Sequence, residues 1–246
     1  TIVPVTYINS SAAIKAFCGR HGGIVCTSSN AAKAISWAFE QAAKTSPSGS
    51  RGKVMFFPDQ HLGRWSGHSM GVPLEEMPVW DPDEPMGGLT PERIREAKIL
   101  LWKGHCSVHQ MFQVSHILRF RNQHPDGIVI SHPECNFEVC KNSDYVGSTE
   151  YIIKTIREAG PGTRWLVGTE LNLVNRIAEE FKVEGKVVQF MAPTVCMCST
   201  MARIDPQHLA WTLENLAQGN VVNQIKVPGA EAKLARLALE RMLALL

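Results

Sequence analysis

Short apolar runs, separated by amphipathic stretches, are the feature that most restricts how this chain can fold. The runs are rich in β-branched and aromatic residues and do not alternate apolar with polar side chains. They cover residues 3–8, 22–27, 53–58, 98–102, 127–131, 145–146, 164–169 and 186–191. Strands that are buried on both faces have this character. The runs therefore predict an α/β fold, with parallel sheets that carry helices on both sides.

Amphipathic stretches between these runs predict the helices. They cover residues 10–18, 29–44, 91–97, 108–123, 149–159, 170–182 and 206–218. A further pattern over residues 229–246 predicts a helix that packs on the core through Leu234, Leu237, Ala238, Met242 and Leu245. Residues 64–90 are rich in Gly, Pro and Asp, and they predict an ordered surface excursion in which Trp65, Met70 and Trp80 pack.

Polar loops follow the predicted strands in the same order in both halves of the chain. In the first half these loops are residues 7–10 (YINS), 27–30 (TSSN) and 58–63 (PDQHLG). In the second half they are residues 132–135 (HPEC), 147–150 (GSTE) and 168–171 (GTEL). Helix capping accounts for any single loop, because Ser, Thr, Asn and Asp are preferred N-caps. The matching order of all six predicts two copies of one α/β unit.

The repeat divides the chain into an α/β unit over residues 1–104, a second unit over residues 105–205 and C-terminal helices over residues 206–246. The chain opens on a strand and has no initiator Met, so we expect that further sequence precedes Thr1. The alternative is a short N-terminus from which Met has been removed.

Composition narrows the range of partners and compartments. The formal net charge is only +2 and no basic stripe with interleaved aromatic residues is present, so a nucleic-acid partner is not expected. No apolar run approaches the ~20 residues of a membrane span, and the first residues given do not predict a signal peptide. The cysteine count is 7, which is odd. Without a secretory signal, this count favours metal or redox use in the cytosol over disulfides.

Ligands of parallel α/β sheets bind beyond the carboxyl ends of the strands, where helix N-termini offer free N–H groups. Ser28, Ser29, Ser148 and Thr149 lie at such positions. They are candidates for binding carboxylate or phosphate groups.

His132 and Glu134 flank Pro133 at the end of a predicted core strand. The proline ring restricts the local backbone and so limits how the two side chains can move. Many surface turns contain such a triplet, but at a strand end the pair suits general acid–base work.

The thiols Cys106 and Cys198 follow two predicted strands. His109 lies three residues beyond Cys106. Three interpretations of this pair stay open: the two side chains line a ligand site, they bind zinc, or they are a semi-buried thiol beside a surface imidazole. Cys196 and Cys198 are too close in sequence to share one tetrahedral metal, so one is a candidate ligand, or both are buried apolar residues. Cys106 and Cys198 can face one site only if the two halves fold face to face. Two thiolates are also fewer than the four that iron–sulfur clusters usually take.

Seven motifs resemble those of the quinolinate synthase family, in the family's order and over nearly the whole chain. They are residues 7–12 (YINSSA), 26–30 (CTSSN), 58–63 (PDQHLG), 104–109 (GHCSVH), 132–135 (HPEC), 146–149 (VGST) and 168–170 (GTE). The resemblance implies three similar αβα domains around a pseudo-threefold axis, two of them in this chain. It implies a cytoplasmic transferase of NAD biosynthesis that condenses iminoaspartate with dihydroxyacetone phosphate. The products are quinolinate, phosphate and water, and a functional link to L-aspartate oxidase is implied.

A [4Fe–4S] cluster, held by one cysteine from each domain, is a further implication of the resemblance. Cys106 matches one ligand by its motif. Cys198 matches another because Met201 follows it at the family's spacing, and Cys196 is the second choice. The third ligand is expected upstream of Thr1. An iron without a protein ligand would then act as a Lewis acid on substrate.

Substrate contacts also follow from the resemblance, residue by residue. Glu134 is implied as the base, and His132 and Tyr7 as further catalytic residues. The family's first domain supplies a His and a Ser that have no counterpart here, and the cysteine pair near residue 196 does not support a redox switch. The implied substrate-binding residues are Tyr7, Ile8, Asn9, Ser28, His109, His132, Pro133, Glu134, Ser148 and Thr149.

Two other functions compete with this one. The Ser and Thr loops at helix N-termini also fit a non-catalytic α/β module that binds phosphate or a small acid. Cys106 and His109 also fit a zinc hydrolase, provided that further ligands lie close to them in space.

Overall fold

Strands and helices alternate along the chain and build two sheets. The computed structural model describes residues 1–46, 52–194 and 198–245. The strands are β1 (Ile2–Tyr7), β2 (Ile24–Cys26), β3 (Lys53–Phe57), β4 (Val79–Trp80), β5 (Ile99–Trp102), β6 (Ile128–Ser131), β7 (Tyr145–Val146), β8 (Arg164–Gly168) and β9 (Val187–Phe190).

Most helices connect one strand to the next, and two follow the last strand. They are α1 (Ala12–Arg20), α2 (Ala31–Thr45), α3 (Gln60–Ser69), α4 (Pro91–Glu96), α5 (Ser107–Gln110), α6 (Val114–Gln123), α7 (Phe137–Lys141), α8 (Thr149–Glu158), α9 (Leu171–Phe181), α10 (Pro206–Ala217) and α11 (Gly229–Leu243). Short 3-10 turns lie at Leu74–Glu76, Pro85–Gly88, Lys182–Glu184 and Met201–Arg203. None of the helices in the described ranges is both long and apolar enough to cross a membrane.

The two sheets share one strand order. The first sheet runs β2-β1-β3-β5-β4 and the second runs β7-β6-β8-β9, and every pairing is parallel. In each sheet the first strand lies between the second and the third, and a further strand continues beyond the third. This common order confirms the predicted α/β fold with repeated units and parallel sheets. The threefold arrangement and the domain boundaries stay predictions.

Helices cover both faces of each sheet, which explains why the strands lack polar alternation. On one face of the second sheet, Val129 and Leu166 pack with Ile117 of α6. On the other face, the next residues along the same strands, Ile130 and Val167, pack with helices α8 and α9. Successive side chains of a strand point to opposite faces, so burial on both sides requires apolar residues at successive positions.

The C-terminal helix α11 packs on α1 and β2, as the spacing of its apolar residues predicts. Ala238 and Met242 are buried in the core of the first sheet. Leu237 is instead more than a third exposed, at 39%. The end of the chain therefore completes the layer that covers its first strands.

The structure differs from the sequence prediction at several short elements. The helix α3 begins at Gln60, so residues 64–69, expected in a surface excursion, are helical. Its two glycines and two serines lower its helix propensity, but burial of Leu62 and a cap from Asp59 stabilise it. The predicted helix over residues 108–123 is broken into α5 and α6 by extended backbone at Gln113. The short elements β4 and α7 carry too few residues for a period to be recognised.

The two halves contact each other through α3 and α7. Phe137 lies between Trp65 and His68, with ring centroids 6.1 Å and 4.9 Å away. Met70 packs on the first core and Trp80 lies against Gly87, so the packing predicted for Trp65, Met70 and Trp80 is observed. The contact of Phe137 with Trp65 and His68 joins α3 to α7, the helices that follow the carboxyl ends of β3 and β6.

Replacing Gly19 with Ala tests the close crossing of α1 and α11. A Cβ at Gly19 would lie 2.0 Å from the carbonyl oxygen of Leu234, whereas one at Gly160 would meet nothing within 4 Å. Alanine normally stabilises a helix interior relative to glycine. Here we expect Gly19→Ala to lower the free energy of unfolding by about 1–3 kcal/mol, because backbone must move. Urea denaturation measures it, and Gly160→Ala, expected within about 0.5 kcal/mol of the parent, is the control. Equal stability of the two variants would contradict the crossing.

Candidate active site

The carboxyl ends of strands from both sheets border one cavity of about 640 Å³. Tyr7 and Asp59 reach it from the ends of β1 and β3. Glu134 and Glu170 reach it from the loops that follow β6 and β8. This is the edge at which parallel α/β sheets bind ligands. Because both halves contribute side chains, the cavity is a site between two sheets.

Two thiols lie on this cavity. Cys106 follows β5, Cys198 follows β9, and both line the cavity in a partly buried position. The sequence predicts that these two thiols share a site only if the two halves face each other. In the structure, residues of both halves line the one cavity. Cys196, the second choice for a ligand, lies outside the described residues. The role of Cys106 and Cys198 as metal ligands stays a prediction.

The environments of these two thiols differ. Burial raises the pKa of Cys106, although the backbone N–H groups of His109 and Val108 act in the opposite direction. Cys198 lies 3.0 Å from the hydroxyl of Thr200, and this hydrogen bond lowers the pKa of Cys198 below its usual value. Cys198 is therefore the thiol that ionises more readily.

A buried cluster of two imidazoles and one carboxylate lies beside Cys106. Glu134 Oε2 lies 3.5 Å from His109 Nδ1 and 3.2 Å from His132 Nδ1. The two imidazole rings are 4.9 Å apart between centroids. His132 Nδ1 is also 3.3 Å from the backbone N–H of Glu134, so its tautomer decides which of the two contacts is a hydrogen bond.

Burial and the short distances between these groups determine which of them are charged at neutral pH. Burial would raise the pKa of Glu134, but the hydrogen bond and the charges of the neighbouring imidazoles outweigh it and hold the pKa below its ordinary value. Burial, and then the neighbouring His132, lower the pKa of His109 to about 4. At neutral pH, Glu134 is therefore an ionised acceptor and His109 is neutral. Neither ring nitrogen of His109 has a hydrogen-bond partner among the described residues.

These residues include a group that can hold a metal ion. One ligand atom each from Cys106, His109 and Glu134 lie within 4.8 Å of one another. Thiolate, neutral imidazole and carboxylate are all metal ligands. The proximity needed for a metal site is thus present at the position that the sequence indicated, with Glu134 as an additional donor.

Tyr7 and Asn9, for which the family resemblance implies substrate binding, line the same cavity. Burial, and then the charge of Glu134, raise the pKa of Tyr7, while a hydrogen bond with Ser28 acts in the opposite direction. The phenol therefore keeps its proton at neutral pH. Lys15 holds the loop that carries Asn9, because its Nζ donates to the carbonyl oxygens of Ile8 and Ser10 at 2.8 and 2.5 Å.

Three of the four predicted anion-binding residues line a second cavity of about 430 Å³. Ser28, Ser29 and Ser148 line it, together with Pro133 and Tyr151. Ser148 caps α8, and its hydroxyl accepts from the backbone N–H of Tyr151 at 3.4 Å. The sequence prediction assigned the substrate-binding residues to one site, whereas the structure distributes those that line a cavity over two cavities. The two cavities adjoin, because Pro133 on this one is bonded to Glu134 on the first, and Ser28 lowers the pKa of Tyr7.

Three predicted substrate contacts lie away from both cavity linings. Ile8 packs against the core of the first sheet. His132 is buried behind Glu134, and Thr149 is an exposed residue at the start of α8. Their substrate-binding roles stay predictions.

Two carboxylates on the cavity received no role from sequence reasoning. Burial, and then Glu134, raise the pKa of Asp59 to about 7, although three backbone N–H groups oppose the shift. Glu170 caps α9 and accepts from Leu173 N–H at 3.1 Å. Both belong to loops recognised as polar strand ends, and that position is the signal that points to them.

The other described cysteines are buried away from this cavity, and all are free thiols. They are Cys18, Cys26, Cys135 and Cys140. The Cys135 thiol donates to the carbonyl oxygen of Gly168 at 3.4 Å, and burial raises its pKa well above the usual value. Burial likewise raises the pKa of Cys18 to about 12.

Comparison with known proteins gives one consistent result. The family model described as "Quinolinate synthetase A protein" matches residues 1–244. The chain is similar to proteins named quinolinate synthase from Rhodopirellula baltica (53% identical over 244 residues), Herpetosiphon aurantiacus (54% over 243) and Streptomyces coelicolor (52% over 245). These matches cover 99%, 98% and 99% of this chain, but only 59%, 62% and 60% of the relatives. The chain thus spans less than two thirds of the length of the curated relatives that it matches.

Alkylation with iodoacetamide at pH 8 tests the placement of the thiols. We expect Cys198 to react first, Cys106 more slowly, and the four buried cysteines much more slowly still, because reaction needs an accessible thiolate. Peptide mapping by mass spectrometry with fragmentation separates Cys198 from Cys196. The control is the same reaction in denaturant, where these differences should vanish. Labelling of Cys135 as fast as Cys106 in the folded chain would contradict the structure.

Proposed function

The chain belongs to the quinolinate synthase family, and on that premise we propose that it forms part of an enzyme that makes quinolinate for NAD biosynthesis. The proposed reaction condenses iminoaspartate with dihydroxyacetone phosphate and releases phosphate and water. The observation that carries the proposal is the meeting of Cys106, Cys198 and Glu134 on one cavity between the two sheets. A cytoplasmic location and a link to L-aspartate oxidase stay predictions of the family resemblance.

The residues present fit part of an iron–sulfur site. Cys106 and Cys198 are cysteine donors on one cavity, and cysteine thiolates are the usual ligands of such clusters. The volume of about 640 Å³ leaves room for both a metal centre and a small substrate. We propose that these two residues hold a [4Fe–4S] cluster, with a further cysteine from a part of the longer family proteins that this chain does not match. When bound, the cluster would supply a Lewis-acidic iron.

Glu134 is the proposed base. Its carboxylate is ionised at neutral pH, buried, and surrounded by imidazoles that restrict its position. A positioned carboxylate can accept a proton from a carbon or a hydroxyl group of a substrate in the cavity. His132 Nδ1 lies 3.2 Å from Glu134 Oε2 and orients the carboxylate when this nitrogen carries the proton.

Tyr7 and Asn9 are the proposed hydrogen-bond donors on the same cavity. The raised pKa keeps the Tyr7 phenol protonated, so it can donate to a carbonyl or a developing oxyanion. The Asn9 amide is kept in place by the contact of Lys15 with its loop. These two residues bind substrate oxygens while Glu134 moves the proton.

The anionic ends of the substrates are assigned to the serine-lined cavity. Ser28 precedes α2 and Ser148 caps α8, so hydroxyl groups near two helix N-termini line this cavity, and Thr149 follows Ser148 at the start of α8. Helix N-termini favour carboxylates and phosphates. This division places charged groups at one end of the site and proton transfer at the other.

A zinc site is the second candidate, because Cys106, His109 and Glu134 have the proximity of a three-ligand set. Catalytic zinc sites use three protein ligands and keep an open position for water. Elemental analysis separates the candidates: zinc held by this set without iron would favour a zinc enzyme. A module without catalysis is the least favoured function, because the relatives are named as synthases.

Iron loading tests the cluster assignment. The protein is a chimera that joins residues 1–246 to the part of the Rhodopirellula baltica relative that they do not match. After anaerobic loading with iron and sulfide, we expect Cys106→Ser to lose most of the bound iron, because a thiolate ligand is removed. Cys135→Ser is the matched control and should keep it, because Cys135 is buried elsewhere. Full iron content in Cys106→Ser would remove this cysteine from the ligand set.

Glu134→Gln tests the proton-transfer role in the same chimera. The amide keeps the shape but accepts no proton, so kcat should fall by about 10²–10⁴-fold. Iron content should be unchanged. Glu138→Gln, four residues along the chain at an exposed position, is the control and should keep the parent rate. A parent-like kcat in Glu134→Gln would show that another group is the base.

A further inference from the structure

Two loops lie side by side at the carboxyl ends of β3 and β5, which are neighbouring strands of the first sheet. Residues 58–60 follow β3, and residues 104–106 follow β5. The backbone N–H of Gln60 donates to the carbonyl oxygen of Gly104 at 2.9 Å. The backbone N–H of Cys106 donates to Asp59 Oδ2 at 3.1 Å. We call this pair of contacting loops the loop clasp.

Asp59 uses its two carboxylate oxygens for different purposes. Oδ1 accepts from the backbone N–H of Leu62 at 2.8 Å and so caps α3. Oδ2 accepts from Cys106, whose chain position is 47 residues away. The residue is 4% exposed, so water does not readily replace either bond. One side chain thus connects the start of α3 to the loop that carries a cavity thiol.

Gly104 allows the loop clasp to close. A Cβ at this position would lie 2.1 Å from the carbonyl oxygen of Pro58, which is backbone and has no freedom to rotate away. This close approach is independent of the Asp59 contacts. It shows that the two loops meet backbone to backbone next to the Asp59–Cys106 bond.

We infer that Asp59 is a positioning residue that fixes the backbone of Cys106 and thereby the location of its sulfur on the cavity. The inference rests on the proposed function in one respect, because it takes Cys106 to be a ligand. Ligand atoms must be held to within about half an ångström by groups that are themselves restrained. The backbone of Cys106 precedes a helix of only four residues, so α5 alone offers little restraint. The carboxylate supplies it from the neighbouring strand.

Amide hydrogen exchange at Cys106, measured by NMR on the metal-free full chain, tests the inference. Asparagine is isosteric with aspartate but has a single acceptor oxygen, so Asp59→Asn must lose one of the two bonds. Asp59→Ala loses both. We expect exchange of the Cys106 amide to accelerate about tenfold in Asp59→Ala, because its buried acceptor is removed. Asp59→Asn should show the same acceleration, unless its oxygen turns to Cys106, in which case exchange at Leu62 accelerates instead.

Thr90→Ala is the matched control, because Thr90 caps α4 through Arg93 N–H and has no contact with Cys106. It should lower thermal stability as loss of a cap does, without changing exchange at Cys106. Gly104→Ala is the second variant, in case the Asp59 variants do not fold. It keeps the carboxylate but forces the loops apart, so exchange at Cys106 should again accelerate. A merely structural role for Asp59 predicts equal changes at all amides.

The inference is overturned if Cys106 exchange is unchanged in folded Asp59→Ala, or in Gly104→Ala where the Asp59 variants do not fold. Its failure is distinct from failure of the proposed function. Should Cys106→Ser keep its iron in the chimera while Asp59→Ala frees the Cys106 amide, the ligand assignment fails and the positioning stands. In the iron-loaded chimera, we also expect a chelator to remove iron several-fold faster from Asp59→Asn or Asp59→Ala than from Thr90→Ala. Equal rates in all three would count against the inference.

Discussion

Parallel hydrogen bonding between neighbouring strands brings their carboxyl ends to one edge of each sheet, and every feature of the cavity depends on it. In the first sheet this pairing aligns the ends of β1, β3 and β5, which carry Tyr7, Asp59 and Cys106. In the second sheet it aligns the ends of β6 and β8, which carry Glu134 and Glu170. Polar residues far apart in the chain therefore converge without any local contact between them. The positions of the cavity residues therefore depend on the packing of the two sheets that carry them.

The electrostatics of the cavity follow from burying acids and imidazoles together. Asp59 and Glu134 are both buried carboxylates, yet their pKa values move in opposite directions. Burial and the charge of Glu134 raise the pKa of Asp59 to about 7, whereas imidazoles hold the pKa of Glu134 low. Two acids with different environments can serve different purposes. Here Glu134 has the environment of an ionised base, and Asp59 has that of a structural acceptor for backbone N–H groups.

Because the two sheets share a strand order, residues with different proposed roles occupy equivalent positions in them. The first strand of each sheet is followed by a polar segment on the main cavity, with Asn9 after β1 and Glu134 after β6. The second strand of each is followed by serines of the other cavity, with Ser28 after β2 and Ser148 after β7. One repeated scaffold therefore presents the proposed proton-transfer groups and the proposed anion-binding groups at separate, adjoining places. This separation suits substrates with a reactive centre and a charged end, such as those of the proposed condensation.

The sequence by itself determined the described strands other than β4, the parallel α/β fold and the motifs that identify the family, because buried strands need apolar residues at successive positions and the polar strand ends have local signatures. It also indicated Cys106, His109 and Glu134 individually. Only the tertiary structure decided that Cys106 and Cys198 share a cavity, that the serines occupy another, and that Asp59 contacts Cys106. It also decided that α3 is a helix despite its glycines and serines. Those outcomes depend on how the sheets face each other and on contacts between residues distant in the chain, and no local pattern of side chains encodes such distances.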